Sequence, residues 1–432
     1  MSVLRNLASR EFVRVSMHTY ALAGLTLGAN LVSGIVIARG LAPSGRGEAV
    51  AIAMLVQSAG FVFAFGCAQA LSYRYAREPE TGARLATTWT LLMLPLTLAA
   101  VVAGELLLPV LFGSQSDHAI ELARIYLLTV FVVLWGELTL GLLLGGRDYR
   151  FANIVRFAQP ALFALAVLVL WGLDELTLSR ALASSAITAF LVQCVAMARA
   201  LRNTGGFGAF DLRLARETFW YGFRGHGALL ANAMNQRLDL LIMPAFITAA
   251  GLGLYSVAAN VSLIVSTLAN SLATVVLPAA ARDQERGPQT VIASLQLVLG
   301  VAAAFALLLL VLARPALELV YGHNFGGAAP SLRVLLPGTV LLAGALILVA
   351  GLYAANRPTI ATAVQVAGLV VTLAGLLVFL PGGGIMTAAI VSTVAYAVVF
   401  LAALLAYKRV TGLRWRQFVA LPAGLREQRT AA

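Results

Sequence analysis

The chain has 432 residues, of which 60% are hydrophobic and only 11% are charged. Typical soluble proteins carry roughly 25% charged residues. A soluble enzyme, a disordered chain and a coiled coil are therefore excluded, and the composition is that of an all-α polytopic membrane protein. One helical crossing takes ~20 apolar residues, so twelve use ~240. The formal net charge of +12 fits basic loops gathered on one side of a bilayer better than it fits nucleic acid.

Before the first apolar run stand Arg5, Arg10, Glu11 and Arg14. No small-residue cleavage site followed by a soluble domain appears, so the first span is expected to be retained. Spans are then expected at 17–38, 48–71, 87–111, 122–144, 152–171, 181–200, 225–247, 252–277, 291–313, 332–354, 360–380 and 385–407. Gly, Pro and charge clusters punctuate them, such as Pro43-Ser44-Gly45-Arg46 in a loop expected at 39–47. The division is an N-terminal six-helix half (1–200), a linker with an interfacial helix (201–224), a C-terminal six-helix half (225–407) and a basic tail (408–432). The interfacial helix is read from the amphipathic run Phe210 to Arg216.

Basic residues set the orientation. The side that carries the N-terminus holds 22, against six on the other: Arg39, Arg46, Arg124, Arg180, Arg314 and Arg333. This places both termini in the cytoplasm.

The halves resemble each other. Arg10-Glu11 matches Arg216-Glu217, Gly45 and Gly47 match Gly251 and Gly253, and Gly141-Leu142 with Arg147 matches Gly351-Leu352 with Arg357. Six spans per half give both halves one orientation, related by a pseudo-two-fold axis along the membrane normal, which is the plan of transporters that rock about a central site.

Polar residues within spans are functional candidates. The seventh span is the richest. At about 100° per residue from Asn232, Asn235 lies at about −60°, Gln236 at about +40°, Asp239 at about −20° and Arg224 at about −80°, which makes one stripe. Asn30 and Ser33 occupy the matching places in the first span, the second adds Gln57, and the eighth adds Asn260. The later helices of each half look less polar. The functional reading is a hydrated cavity between the halves, lined by spans one, two, seven and eight. The alternative is that Asn and Gln bond between helices, each worth ~1 kcal/mol. Arg237, at about 140°, lies off the stripe and cannot pair with Asp239 two residues on. The carboxylate expected to meet it is Glu137. His18 and His226 read as interfacial histidines.

No phosphate-binding Gly-rich loop, nucleophile elbow or Cys/His metal cluster is present in the sequence. Cys67 and Cys194 make no disulfide framework. The chain is expected to be a non-enzyme without cofactors or direct ATP hydrolysis.

The run at 30–47, NLVSGIVIARGLAPSGRG, resembles the start of the bacterial polysaccharide repeat-unit flippases of the multidrug/oligosaccharidyl-lipid/polysaccharide exporter superfamily. RLDLLI at 237–242 followed by GLYSVA at 253–258 resembles their seventh and eighth spans. Tyr321-Gly322 with Phe325, then Leu335-Leu336-Pro337-Gly338, resembles the ninth-to-tenth connection. The resemblance implies a carrier of undecaprenyl-diphosphate-linked oligosaccharide across the inner membrane, for O-antigen or exopolysaccharide. It further implies work beside a polysaccharide polymerase and chain-length proteins, as a monomer. Arginine suits a diphosphate because its planar fork stays ionised and makes two charge-assisted bonds.

The substrate-binding candidates are Arg224, Arg237, Asp239, Asn232, Asn235, Gln236, Asn30, Ser33, Gln57 and Asn260. Since loaded lipid arrives at the cytoplasmic entrance, Arg224 is preferred over Arg237. The rival reading, a cation-coupled multidrug antiporter of the same superfamily, typically has an acidic residue in the first span. None stands there.

Overall fold

The computed structural model describes residues 10–282 and 287–419. Arg5, Arg286, Arg426 and Arg429 lie outside the described residues, as do the side chains of His18 and Asn232. The described residues contain helices and no strand. Among the described residues, ten stretches are long and apolar enough to cross a membrane. Two features reconcile ten with twelve: one stretch holds two crossings, and one crossing is too polar to qualify by hydropathy.

The double crossing is α1, Arg10–Phe63, whose helix breaks at Ala42 (φ 55°, ψ −179°). Pro43 causes the break, because its ring clashes with a helical conformation at the residue before it and it offers no N–H. The loop expected at 39–47 is thus reduced to one non-helical residue. The second crossing continues through a turn at 64–66 into α2, Cys67–Arg77. Then follow α3 (Gly82–Leu111), α4 (Asp117–Leu127), α5 (Val130–Gly145), α6 (Tyr149–Gly172) and α7 (Leu178–Thr204). The expected fourth span is split between α4 and α5. Thr129 Oγ1 donates to Tyr126 O at 2.6 Å, a local bond that competes with the helix ladder.

The polar crossing is α8, Leu212–Ile242. The amphipathic run expected as a separate interfacial helix leads straight into α8. One bond caps this start and three hold it against α3. Asp211 Oδ1 caps Leu214 N–H at 2.9 Å and its Oδ2 pairs with Arg84 at 3.1 Å. Thr87 Oγ1 accepts from Gly208 N–H at 2.9 Å, and the buried Trp89 indole donates to Thr218 Oγ1 at 2.9 Å. Beyond α8 come α9 (Ala249–Arg282), α10 (Gly287–Tyr321), α11 (Ala329–Ala354), α12 (Pro358–Phe379), α13 (Gly384–Thr411) and the short α14 (Trp415–Val419).

The chain forms two compact units, one ending at Leu230 and the other starting at Ala231. α8 therefore contributes its first part to one unit and its last part to the other. In the first unit α2 packs on α5, and α1 on α6. In the second, α11 is the core: 78% of its apolar window is buried, and it packs on α9, α10 and α13.

The repeat is visible in the turns that end α5 and α11. Arg147 (φ 61°) and Asn356 (φ 57°) are left-handed, and Asp148 N–H bonds to Leu143 O as Arg357 N–H bonds to Leu352 O. This equates Arg357 with Asp148, one residue away from the register that matched it to Arg147.

One close approach fixes α8 in the first unit. Gly66 (φ 70°) and Gly222 meet backbone to backbone. A Cβ on Gly222 would lie 2.6 Å from Phe65 O and 2.8 Å from Gly66 O, whereas one on Gly227 would meet nothing within 4 Å. Alanine normally gains ~1 kcal/mol over glycine in a helix, so the two sites part company. Gly227→Ala should hold or raise the melting temperature of the detergent-solubilised protein. Gly222→Ala should lower it, since overpacking against backbone costs ~1–3 kcal/mol. Equal melting temperatures for the two variants would contradict the packing described.

Candidate functional site

The last part of α8 carries a buried polar cluster in the second unit. Asp239 is 5% exposed, and its carboxylate accepts from Tyr255 Oη at 2.5 Å, Ser392 Oγ at 3.4 Å and the Leu240 N–H at 2.8 Å. Tyr255 Oη and Ser392 Oγ are 3.1 Å apart, which closes a triangle of three polar groups from α8, α9 and α13. The buried Tyr396 stands one turn beyond Ser392 on α13. One turn back along α8, Asn235 Nδ2 donates to Gln365 O at 2.7 Å and Gln365 Oε1 at 3.0 Å, which ties α8 to α12.

The helix itself explains the arrangement. Asn235 and Asp239 are four residues apart, so they share a face, and both are buried. A carboxylate in hydrocarbon is costly without hydrogen bonds, and the hydroxyls of Tyr255 and Ser392 supply them. Arg237 points elsewhere, as its helical angle predicts. Its Nη1 donates to Asn260 Oδ1 at 3.0 Å. Within its unit the partner of Arg237 is an amide; Glu137, the carboxylate expected to meet it, belongs to the first unit. The amide is the better-placed group because Asn260 lies on the neighbouring α9.

The remaining candidates are placed as follows. Gln236 is half-buried. Ser33 is buried, and its hydroxyl donates to the Asn30 carbonyl of its own helix at 3.1 Å. The Asn30, Gln57 and Arg224 side chains are exposed in the first unit. Arg224 forms no ion pair among the described residues. His226 is buried, with its ring centroid 5.5 Å from that of Phe61 and 6.2 Å from that of Phe65.

Sequence reasoning missed Tyr255, Gln365, Ser392 and Tyr396. The later helices looked unpolar because each brings one or two such groups. Gln365, a lone amide mid-span, and Ser392 with Tyr396 at i,i+4 were the available signals.

Comparison with known proteins adds the family. The family model described as polysaccharide biosynthesis protein matches residues 36–330, most of the chain. The chain belongs to this family. A lipid II flippase, MurJ, in an inward closed conformation aligns over 94% of this chain and 89% of its own, with a TM-score of 0.78 and 14% identity. A multidrug resistance MATE family transporter of the MOP superfamily, inward-facing, aligns over 90% of this chain and 96% of its own, with a TM-score of 0.72 and 16% identity. A MOP superfamily transporter from Pyrococcus furiosus covers 92% of this chain and 95% of its own at a TM-score of 0.55 and 15% identity. No curated protein sequence matches the chain. This member of the polysaccharide biosynthesis family therefore has the MurJ/MATE fold.

The carboxylate triangle makes its own prediction. Tyr255→Phe removes the donor while leaving Asp239 buried, at a cost of ~1–3 kcal/mol. Combining it with Asp239→Asn should cost less than the sum of the single changes, because the two share one network. Thermal unfolding of the four proteins in detergent measures both effects. Additive losses, or a silent Tyr255→Phe, would contradict the bonding pattern.

Proposed function

We propose that this chain flips undecaprenyl-diphosphate-linked oligosaccharide repeat units across the bacterial inner membrane by alternating access, in polysaccharide biosynthesis. Family membership supports the pathway, and the MurJ-like fold supports a lipid-linked cargo. The observation that carries the reading is Arg224: an exposed guanidinium on α8 with no ion pair among the described residues. A free arginine fork is suited to a diphosphate. Asn30 and Gln57, exposed on membrane-spanning helices, support a hydrated path, since polar groups border water more cheaply than hydrocarbon.

In this reading the arginine-rich side is cytoplasmic, both termini lie there, and the loaded lipid enters there. The head group crosses through water while the polyprenyl tail stays in the bilayer. Polymerase and chain-length proteins would consume the flipped unit. The energy comes from cargo flux or an ion gradient.

A second reading, a cation-coupled multidrug antiporter, has one observation in its favour: the buried Asp239, the kind of intramembrane carboxylate that marks ion pathways. The missing acidic residue in the first span speaks against it.

Export in a flippase-deficient strain, with membrane abundance measured in parallel, separates the roles of the two arginines. Arg224→Ala should abolish export at normal abundance, and Arg224→Lys should rescue it in part, because lysine lacks the fork. Arg237→Ala should lower abundance, since it strands the Asn260 carbonyl and removes the positive field from Asp239. A stable but inactive Arg237→Ala beside a fully active Arg224→Ala would reverse the assignment. Loss of drug efflux with intact polysaccharide export would favour the second reading.

A further inference from the structure

The first unit carries an aromatic pair that the polar stripe does not explain. Tyr73 on α2 and Tyr221 on α8 stack with ring centroids 4.5 Å apart and planes 10° apart. Both stay exposed, at 44% and 48%. Arg77 Nη1 donates to Tyr73 Oη at 2.8 Å, which holds a guanidinium at the edge of the stack. Arg224 is three residues beyond Tyr221, about 60° round the helix, so it flanks the stack on the α8 side.

The charges around the pair are sorted. Arg74 is spent on Glu78 at 3.0 Å and Glu217 at 3.4 Å, and Arg213 on Glu217 at 3.0 Å. Arg77 and Arg224 make no ion pair among the described residues. The stack is thus bracketed by two guanidiniums that make no ion pair with a carboxylate among the described residues. Tyrosines that only anchor a membrane interface need neither stack nor hold a cation at their edge. Trp220, Phe223, Phe207 and Phe210, all exposed nearby in sequence, are sufficient for that role.

The geometry points to Tyr73 and Tyr221 as a stacking platform for the first sugar of a diphosphate-linked saccharide, whose diphosphate meets Arg77 and Arg224. This rests on the proposed function and names the head-group site within it. The exposed faces and edges of the rings suit the C–H face of a pyranose, because the aromatic face is electron-rich. The two forks suit the bridging diphosphate. An acidic phospholipid shares the phosphate chemistry but brings no sugar ring, and that difference separates the two sources.

Binding to the purified full chain in phosphatidylcholine nanodiscs tests the assignment. The probes are farnesyl diphosphate and farnesyl diphosphate linked to N-acetylglucosamine. Wild type should bind the sugar-bearing probe about three- to tenfold more tightly than the bare one. Tyr221→Leu and Tyr73→Leu should erase that preference while still binding the bare probe, and Tyr221→Phe should keep it. Arg77→Gln and Arg224→Gln should weaken both probes. Melting temperatures of each variant guard against misfolding, and Tyr221→Phe keeps the test open if leucine disturbs the fold. The platform is overturned if the leucine variants retain the sugar preference, if Tyr221→Phe loses it as fully as leucine does, or if phosphatidylglycerol displaces the sugar probe as well as the bare one. Wild type that binds neither probe would overturn the diphosphate reading of function and the platform together. Binding of both probes with unaffected tyrosine variants would overturn the platform alone.

Discussion

A charged or amide side chain in hydrocarbon must find hydrogen bonds or water, and in this chain that constraint bears most heavily on α8. The helix puts Arg224, Asn235, Gln236, Arg237 and Asp239 into one crossing. Such a helix is too polar to insert on hydropathy alone. It is stable because α9, α12 and α13 each turn a polar group toward it: Tyr255 and Asn260, Gln365, and Ser392. Losing one partner leaves a buried group unsatisfied, which costs more than the bond itself is worth. The network therefore holds the second unit's helices in register.

The same helix serves the first unit by other means. Its start is capped by Asp211, bonded to α3 and pressed backbone to backbone on Gly66. Aromatic packing of Phe65 on Phe219, Phe223 and His226 adds to this. One part of α8 is thus held by close packing and aromatic rings, the other by polar bonds. Between them lie Gly225 and Gly227, where no side-chain packing crowds the backbone.

How much of this could be read from the sequence follows from the kind of signal each feature leaves. The crossings were legible because ~20 apolar residues in a row have few other uses. Even α8 was legible, since its punctuation and its stripe survive its low hydropathy. The break at Ala42 was legible as a boundary through Pro43, but its sharpness was not, because a single residue with positive φ leaves no pattern. The split of α4 from α5 falls at Thr129, whose hydroxyl bonds back to Tyr126 O, and threonines are common in spans. Asp239 and Asn235 were legible by type and spacing. Their partners were not, because Tyr255, Gln365 and Ser392 are isolated polar groups in apolar helices, and direction comes only from packing. Arg237 shows the limit: its angle away from the stripe was correct, while its partner proved to be an amide on the next helix.

We propose that this chain moves a diphosphate-linked saccharide across a bilayer without hydrolysing ATP. The most direct measurement reconstitutes the purified full chain in sealed liposomes that hold fluorescent undecaprenyl-diphosphate-linked oligosaccharide in both leaflets. An impermeant quencher is then added outside. The account predicts that protein-containing vesicles lose the protected inner-leaflet signal in the absence of ATP, while protein-free vesicles keep it. Protection that persists until ATP is supplied, or that persists while the same vesicles transport a cationic drug, would contradict it.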